Sequence, residues 1–232
     1  TLHSFLDQVF RGIQAAARDR ECNLMLACGV GSGEPGQGRP AWPILSPDVD
    51  FVPVGPSNTD GLIVAVPLTS RTGARYPSEA RYVRDLMADG FPVVFAGAGE
   101  RGPTVLVDNE GGIRQALAHL VAHGHQRIAF IAGVKGDERG DSGRRLRAYE
   151  AAVREWALTS DPGLIAYGYH NPQGGREAMR KILDSGARFT AVLASNDESA
   201  IGAVEALRDA GMVVPQDVAV VGFDDRLEAR AH

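Results

Sequence analysis

A chain of 232 residues that is 44% hydrophobic, 23% charged and only 6% aromatic has the composition of a folded globular protein and length enough for two lobes with cores of their own, which excludes a disordered segment. Its net charge of −5, from 24 basic and 29 acidic residues, excludes the basic footprint of a nucleic-acid-binding module on this piece. Its longest apolar runs, such as GLIVAVPL at 61–68, fall far short of the roughly 20 residues a membrane-spanning helix requires, so no membrane partner is expected.

The chain opens on an amphipathic stretch that predicts a helix over 4–20, followed by a strand in NLMLAC at 23–28. From Gly29 to Asp60 glycine and proline crowd the sequence and no helical period survives, which predicts a long surface excursion. After it, apolar runs and helical stretches alternate. Strands are predicted at 61–66, 91–96, 127–132, 163–169, 190–194 and 217–223, and helices at 77–90, 111–123, 142–157, 174–186 and 197–210. Gly90, Gly124, Gly186 and Gly211 sit where helices should stop. Short runs apolar on both faces, each followed by a helix, point to an α/β fold with mostly parallel sheets covered by helices on both sides. A lobe boundary is expected near HGHQRIAFIAG (123–133), giving lobes of 1–123 and 124–232.

Several motifs have plain structural readings. GVGSG at 29–33 lacks the spacing of a dinucleotide fingerprint, and Pro35 with Gly36 prevents the helix that would hold a pyrophosphate. GDSG at 140–143 looks like a serine nucleophile, but an isolated tetrapeptide supplies neither base nor acid, and a polar loop capping the next helix accounts for it. His119, His123 and His125 lack the glutamate a zincin needs after its first histidine, and a helix surface with a glycine cap explains them better than a metal does. Cys22 and Cys28, the only cysteines, fit two buried free thiols in a reducing compartment.

The stretch TAVLASNDESAIGAVEALRDAGMVVPQDVAVVGFDD (190–225) is different. A strand–helix–strand crossover brings both parallel strands out on one sheet edge, so Asn196, Asp197, Asp224 and Asp225 gather on one rim, where open α/β sheets bind ligands. Ser195 with Glu198 reads as a capping box, while Asp224 and Asp225 have no such role unless a helix begins after them. A carboxylate, a carboxamide and the planar fork of Arg145 in RRLRAYEAA suit the neighbouring hydroxyls of a sugar or other polyol.

Together with VDNEGGIRQALAHLVAHGHQRIAFIAG and RRLRAYEAAV, this stretch resembles, in order and over about 104–225, the effector-binding domain of LacI/GalR-type regulators. FLDQVFRGIQAAARDREC looks more loosely like that family's first helix. The resemblance implies the two-lobed fold of type I periplasmic binding proteins, with a first strand before Thr1 and closing strands after His232. It also implies a ligand set of Arg145, Asn196 and Asp224, with Phe5 facing the cleft and His170 where the family often has an aromatic wall. Such a domain is cytoplasmic and performs no chemistry. It needs no cofactor or metal, senses a sugar-like effector by lobe closure, forms a homodimer, and meets DNA only through a separate domain. The alternatives are the sensor of a signalling kinase or diguanylate cyclase, an exported solute-binding protein, or a hydrolase or transferase with Asp224 as base.

Overall fold

The structure, a computed structural model, describes residues 4–26, 54–65, 77–97, 102–138, 140–226 and 229. The chain forms two compact units, Thr1–Leu106 and Val107–His232.

The first unit contains α1 (Ser4–Asp19), β1 (Leu62–Val64), α2 (Pro77–Ala88), β2 (Val93–Ala96) and β3 (Thr104–Val105). Its strands pair in parallel in the order β1-β2-β3. Val64, Val83, Leu86, Val93 and Phe95 form its core. The segment 23–26 is not a strand, and Leu24, Met25 and Leu26 are exposed: among the described residues no neighbouring backbone pairs with them. Residues 27 and 28 lie outside the described residues. Of the glycine- and proline-rich excursion, 54–60 is described, and there the Gly55 N–H donates to Asn58 Oδ1 at 2.9 Å in a tight turn. Cys22 is exposed rather than buried, because α1 ends three residues before it and the chain turns there at the surface; Cys28 lies outside the described residues.

The second unit contains α3 (Asn109–Ala122), β4 (Ile128–Ala132), α4 (Asp141–Glu155), β5 (Ile165–Tyr167), α5 (Pro172–Asp184), β6 (Ala191–Ala194), α6 (Asp197–Asp209) and β7 (Ala219–Val221). Its four strands are all parallel, in the order β5-β4-β6-β7. β4 and β6 are buried at every position because helices cover both faces. Side chains alternate across a strand. Thus Ile128, Phe130, Ala191 and Leu193 join Ile113 and Leu117 of α3 and Tyr149 of α4 on one face. Ala129, Ile131, Val192 and Ala194 join Met179 and Ile182 of α5 and Leu207 of α6 on the other. α3, placed with the first lobe by the sequence, therefore packs in the second unit, and the division falls at 106/107 rather than 123/124. Gly90, Gly124, Gly186 and Gly211, with φ of +81°, +87°, +74° and +78°, end helices as their positions require. Among the described residues, no helix is long and apolar enough to cross a membrane.

Candidate functional site

The four parallel strands of the second unit carry their carboxyl ends to one edge, and the chemistry-bearing side chains follow those ends. Arg145, in the second turn of α4, is buried there with 5% of its surface exposed. Its Nε donates to Asn109 Oδ1 at 2.7 Å, and Nη1 donates to the Ser195 carbonyl just past β6. Nη1 also lies 3.7 Å from Asp224 Oδ1, and the guanidinium stacks 3.8 Å from the centre of the Phe223 ring. Gly112 of α3 makes room for that ring: a Cβ there would meet Phe223 Cε2 at 2.5 Å.

Burial dominates the electrostatics. It lowers the pKa of Arg145 against the pull of Asp224, Asp141 and Asp197. It also pushes the Asp224 carboxyl up to about 6; Asp197 raises it further, while Arg145, the Asp197 backbone and Arg226 act in the opposite direction. Arg145 and Asp224 stand beyond direct hydrogen-bond distance at 3.7 Å, so mutual attraction offsets only part of what each loses in leaving water.

Asn196 is the N-cap of α6, its Oδ1 accepting the Ser199 N–H at 3.0 Å, and its Nδ2 donates to the His170 carbonyl at 3.4 Å. The Ser195–Glu198 capping box does not form: Asn196 holds the cap position, and Glu198 pairs with Arg226 instead. Asp197 accepts the Arg226 backbone N–H at 2.7 Å, which ties the segment after β7 to the start of α6. No helix starts directly after Asp225 in the described residues, but the Asp224 carboxylate accepts the backbone N–H of Asp197, the first residue of α6, and so stands at that helix's N-terminus.

Ser142 is not on an exposed loop. It lies in the first turn of α4, 4% exposed, and its Oγ shares a 2.8 Å hydrogen bond with His170 Nε2. His170 and Tyr169 both have positive φ, 56° and 53°, in the β5–α5 connection. Of the other histidines, the His119 and His123 rings lie 4.4 Å apart, tilted by 47°, at the C-terminal end of α3, His125 pairs with Thr190, and no group of three metal-ligating side chains occurs among the described residues.

Four of the five residues singled out from the sequence thus lie along one rim: Arg145 with Asp224, and Asn196 with His170, joined through the consecutive residues Ser195 and Asn196. Phe5 lies in α1, and its side chain is outside the described residues. The sequence reading missed Asn109, Ser142 and Phe223 as members of the arrangement. Asn109 and Phe223 stand beside residues in stretches already singled out, VDNEGG and VVGFDD.

Residues 117–232 match the periplasmic binding protein-like domain family, and the chain belongs to that family. Its relatives within it are helix-turn-helix regulators of the LacI/GalR type. The chain is 39% identical over 122 residues to the transcriptional regulator AscG of Escherichia coli, a match covering 53% of this chain and 36% of that protein. It is 39% identical over 141 residues to the regulator CelR of Thermobifida fusca, covering 59% and 41%. The crystal structure of the Escherichia coli repressor ascG superposes with a TM-score of 0.62 at 28% identity, covering 76% of this chain and 62% of that one. A CelR–cellobiose complex gives 0.62 at 32%, covering 76% and 52%. The chain therefore spans well under two thirds of the curated relatives it matches.

Proposed function

We propose that this chain is the effector-binding part of a LacI/GalR-type transcription regulator and that its ligand is an uncharged sugar or related polyol held by Arg145, Asp224 and Asn196, with His170 beside them. The observation that carries the reading is the buried Arg145–Asp224 pair at the carboxyl edge of the sheet: a planar donor and an acceptor 3.7 Å apart suit adjacent hydroxyls. Nε of Arg145 donates to Asn109 and one Nη1 hydrogen to Ser195, so the second Nη1 hydrogen and the Nη2 amino group are the donors offered to a ligand. The cellobiose bound to the related CelR supports a sugar, and the regulators among the relatives support a role in control rather than catalysis. Ligand acts by binding one arrangement of the two units better than another, which shifts a homodimer read out by a DNA-binding segment outside this chain.

Thermal shifts of the intact protein against a library of sugars and nucleosides test this. Wild type should gain several degrees with at least one sugar. Arg145→Ala and Asp224→Ala should each bind it about ten- to a hundredfold more weakly, the worth of one charge-assisted contact. A full gain in both variants would overturn the assignment of the pair.

A further inference from the structure

We propose that Asn109 is a positioning residue for ligand recognition, oriented by Asp141, and that the two set the direction in which Arg145 presents its guanidinium. Asn109 is 3% exposed and opens α3, two residues after the chain enters the second unit. Its Oδ1 accepts from Arg145 Nε at 2.7 Å, while its Nδ2 donates to Asp141 Oδ1 at 2.8 Å and to the Val107 carbonyl at 3.2 Å. Chemistry allows only this orientation of the carboxamide. Turned over, it would set an NH2 group against a guanidinium and a carbonyl oxygen against a carboxylate, losing three hydrogen bonds in a buried place.

Asp141 stands one turn before Arg145 on α4, so the chain Asp141, Asn109, Arg145 starts and ends on one helix and passes through another. A long side chain with several rotatable bonds is thereby held at its Nε, against the entropy it would otherwise keep. The Ser195 carbonyl holds Nη1 and the Phe223 ring covers one face, so three neighbours, from α3 and from the loops after β6 and β7, fix the plane of the fork before any ligand arrives. Both ends of the Asn109 carboxamide are engaged by protein groups, and it acts through Arg145. The functional consequence rests on the effector-binding reading above, but the geometry can be tested without a ligand.

The experiment is hydrogen exchange at arginine Nε in the intact protein, followed by 15N NMR, with the Arg145 signal identified by its loss in Arg145→Lys. The Arg145 Nε–H should exchange slowly in wild type and about ten- to a hundredfold faster in Asn109→Ala, the factor one hydrogen bond to a charged group is worth. Asp141→Ala, which frees the carboxamide to turn, should speed it in the same direction and keeps the test usable if Asn109→Ala does not fold. Unchanged Arg145 exchange in the variants that fold overturns the proposal. Calorimetric titration with cellobiose adds the functional readout: Asn109→Ala should weaken binding about tenfold in the wild-type background and have no effect in Arg145→Lys. An equal loss in both backgrounds marks a merely structural role and sinks the proposal. Should wild type bind no cellobiose, that counts against the sugar reading alone, and the exchange result still decides whether Asn109 positions Arg145.

Discussion

Asp224 and Arg145 face each other across 3.7 Å with 14% and 6% of their side chains exposed, and burial moves both pKa values against the charged form. The pair therefore costs the unliganded protein stability, as expected of a site prepared for a ligand rather than for folding. The sign follows from linkage. A carboxyl raised in the folded state to about 6 from 3.8 binds its proton more tightly folded than unfolded. Its contribution is fully present below about pH 4 and is lost as pH rises through 6, at a cost on the order of 3 kcal/mol. Asp224→Asn keeps the shape and removes the ionisation. In denaturant unfolding the variant should be more stable than wild type at pH 7.5, and the difference should close as pH falls to 4. A variant less stable than wild type at pH 7.5 would mean that the ion pair supports the fold. Ligand affinity of the wild type should fall as pH drops through about 6, because a protonated Asp224 is a poorer acceptor.

Among the elements, α5 and α6 approach so closely that a Cβ on Gly202 would overlap the carbonyl oxygen of Pro172 and stand 2.8 Å from the Arg176 backbone nitrogen. Replacing glycine by alanine inside a helix normally gains about 1 kcal/mol. Here the obstacle is backbone on the facing helix, which cannot rotate away, and overpacking of that kind costs about 1–3 kcal/mol. The clash should win: Gly202→Ala should lower the urea midpoint, and an unchanged or raised midpoint would show that the helices can separate at no cost. Elements of this unit were legible in the sequence because β4 and β6 are apolar on both faces and α3, α5 and α6 end at Gly124, Gly186 and Gly211 in a left-handed conformation. β3 was not, since two exposed residues carry no pattern and exist as a strand only through pairing with β2. The orienting partner of Arg145 was not legible either, because Asn109 lies 36 residues away and the contact depends on how α3 and α4 pack. The Ser142–His170 bond spans 28 residues and was hidden for the same reason. The cap of α6 was misassigned by one residue between two side chains equally able to cap, Ser195 and Asn196, and backbone geometry decided for Asn196.

Across the whole molecule the charge is −5, and several of the described arginines already face carboxylates. Arg114 pairs with Glu155 at 2.8 Å, Arg176 and Arg180 share Asp209, Arg226 meets Glu198, and Arg81 faces Asp85. Exposed pairs of this kind add little stability, but they matter for partners. A guanidinium already facing a carboxylate gains little from a phosphate, and a surface of mixed sign does not concentrate the counterion release on which nonspecific DNA binding depends. The proposed function accordingly assigns DNA recognition to a segment outside this chain, which spans 36% and 41% of the regulators AscG and CelR. Anisotropy titration of this chain with a random-sequence duplex checks the argument. No binding is expected even at about 50 mM salt, where a module making several phosphate contacts binds orders of magnitude more tightly than at about 200 mM. Micromolar affinity that collapses over that range of salt would place a phosphate-binding surface on this chain and undo the assignment of DNA recognition to a separate segment.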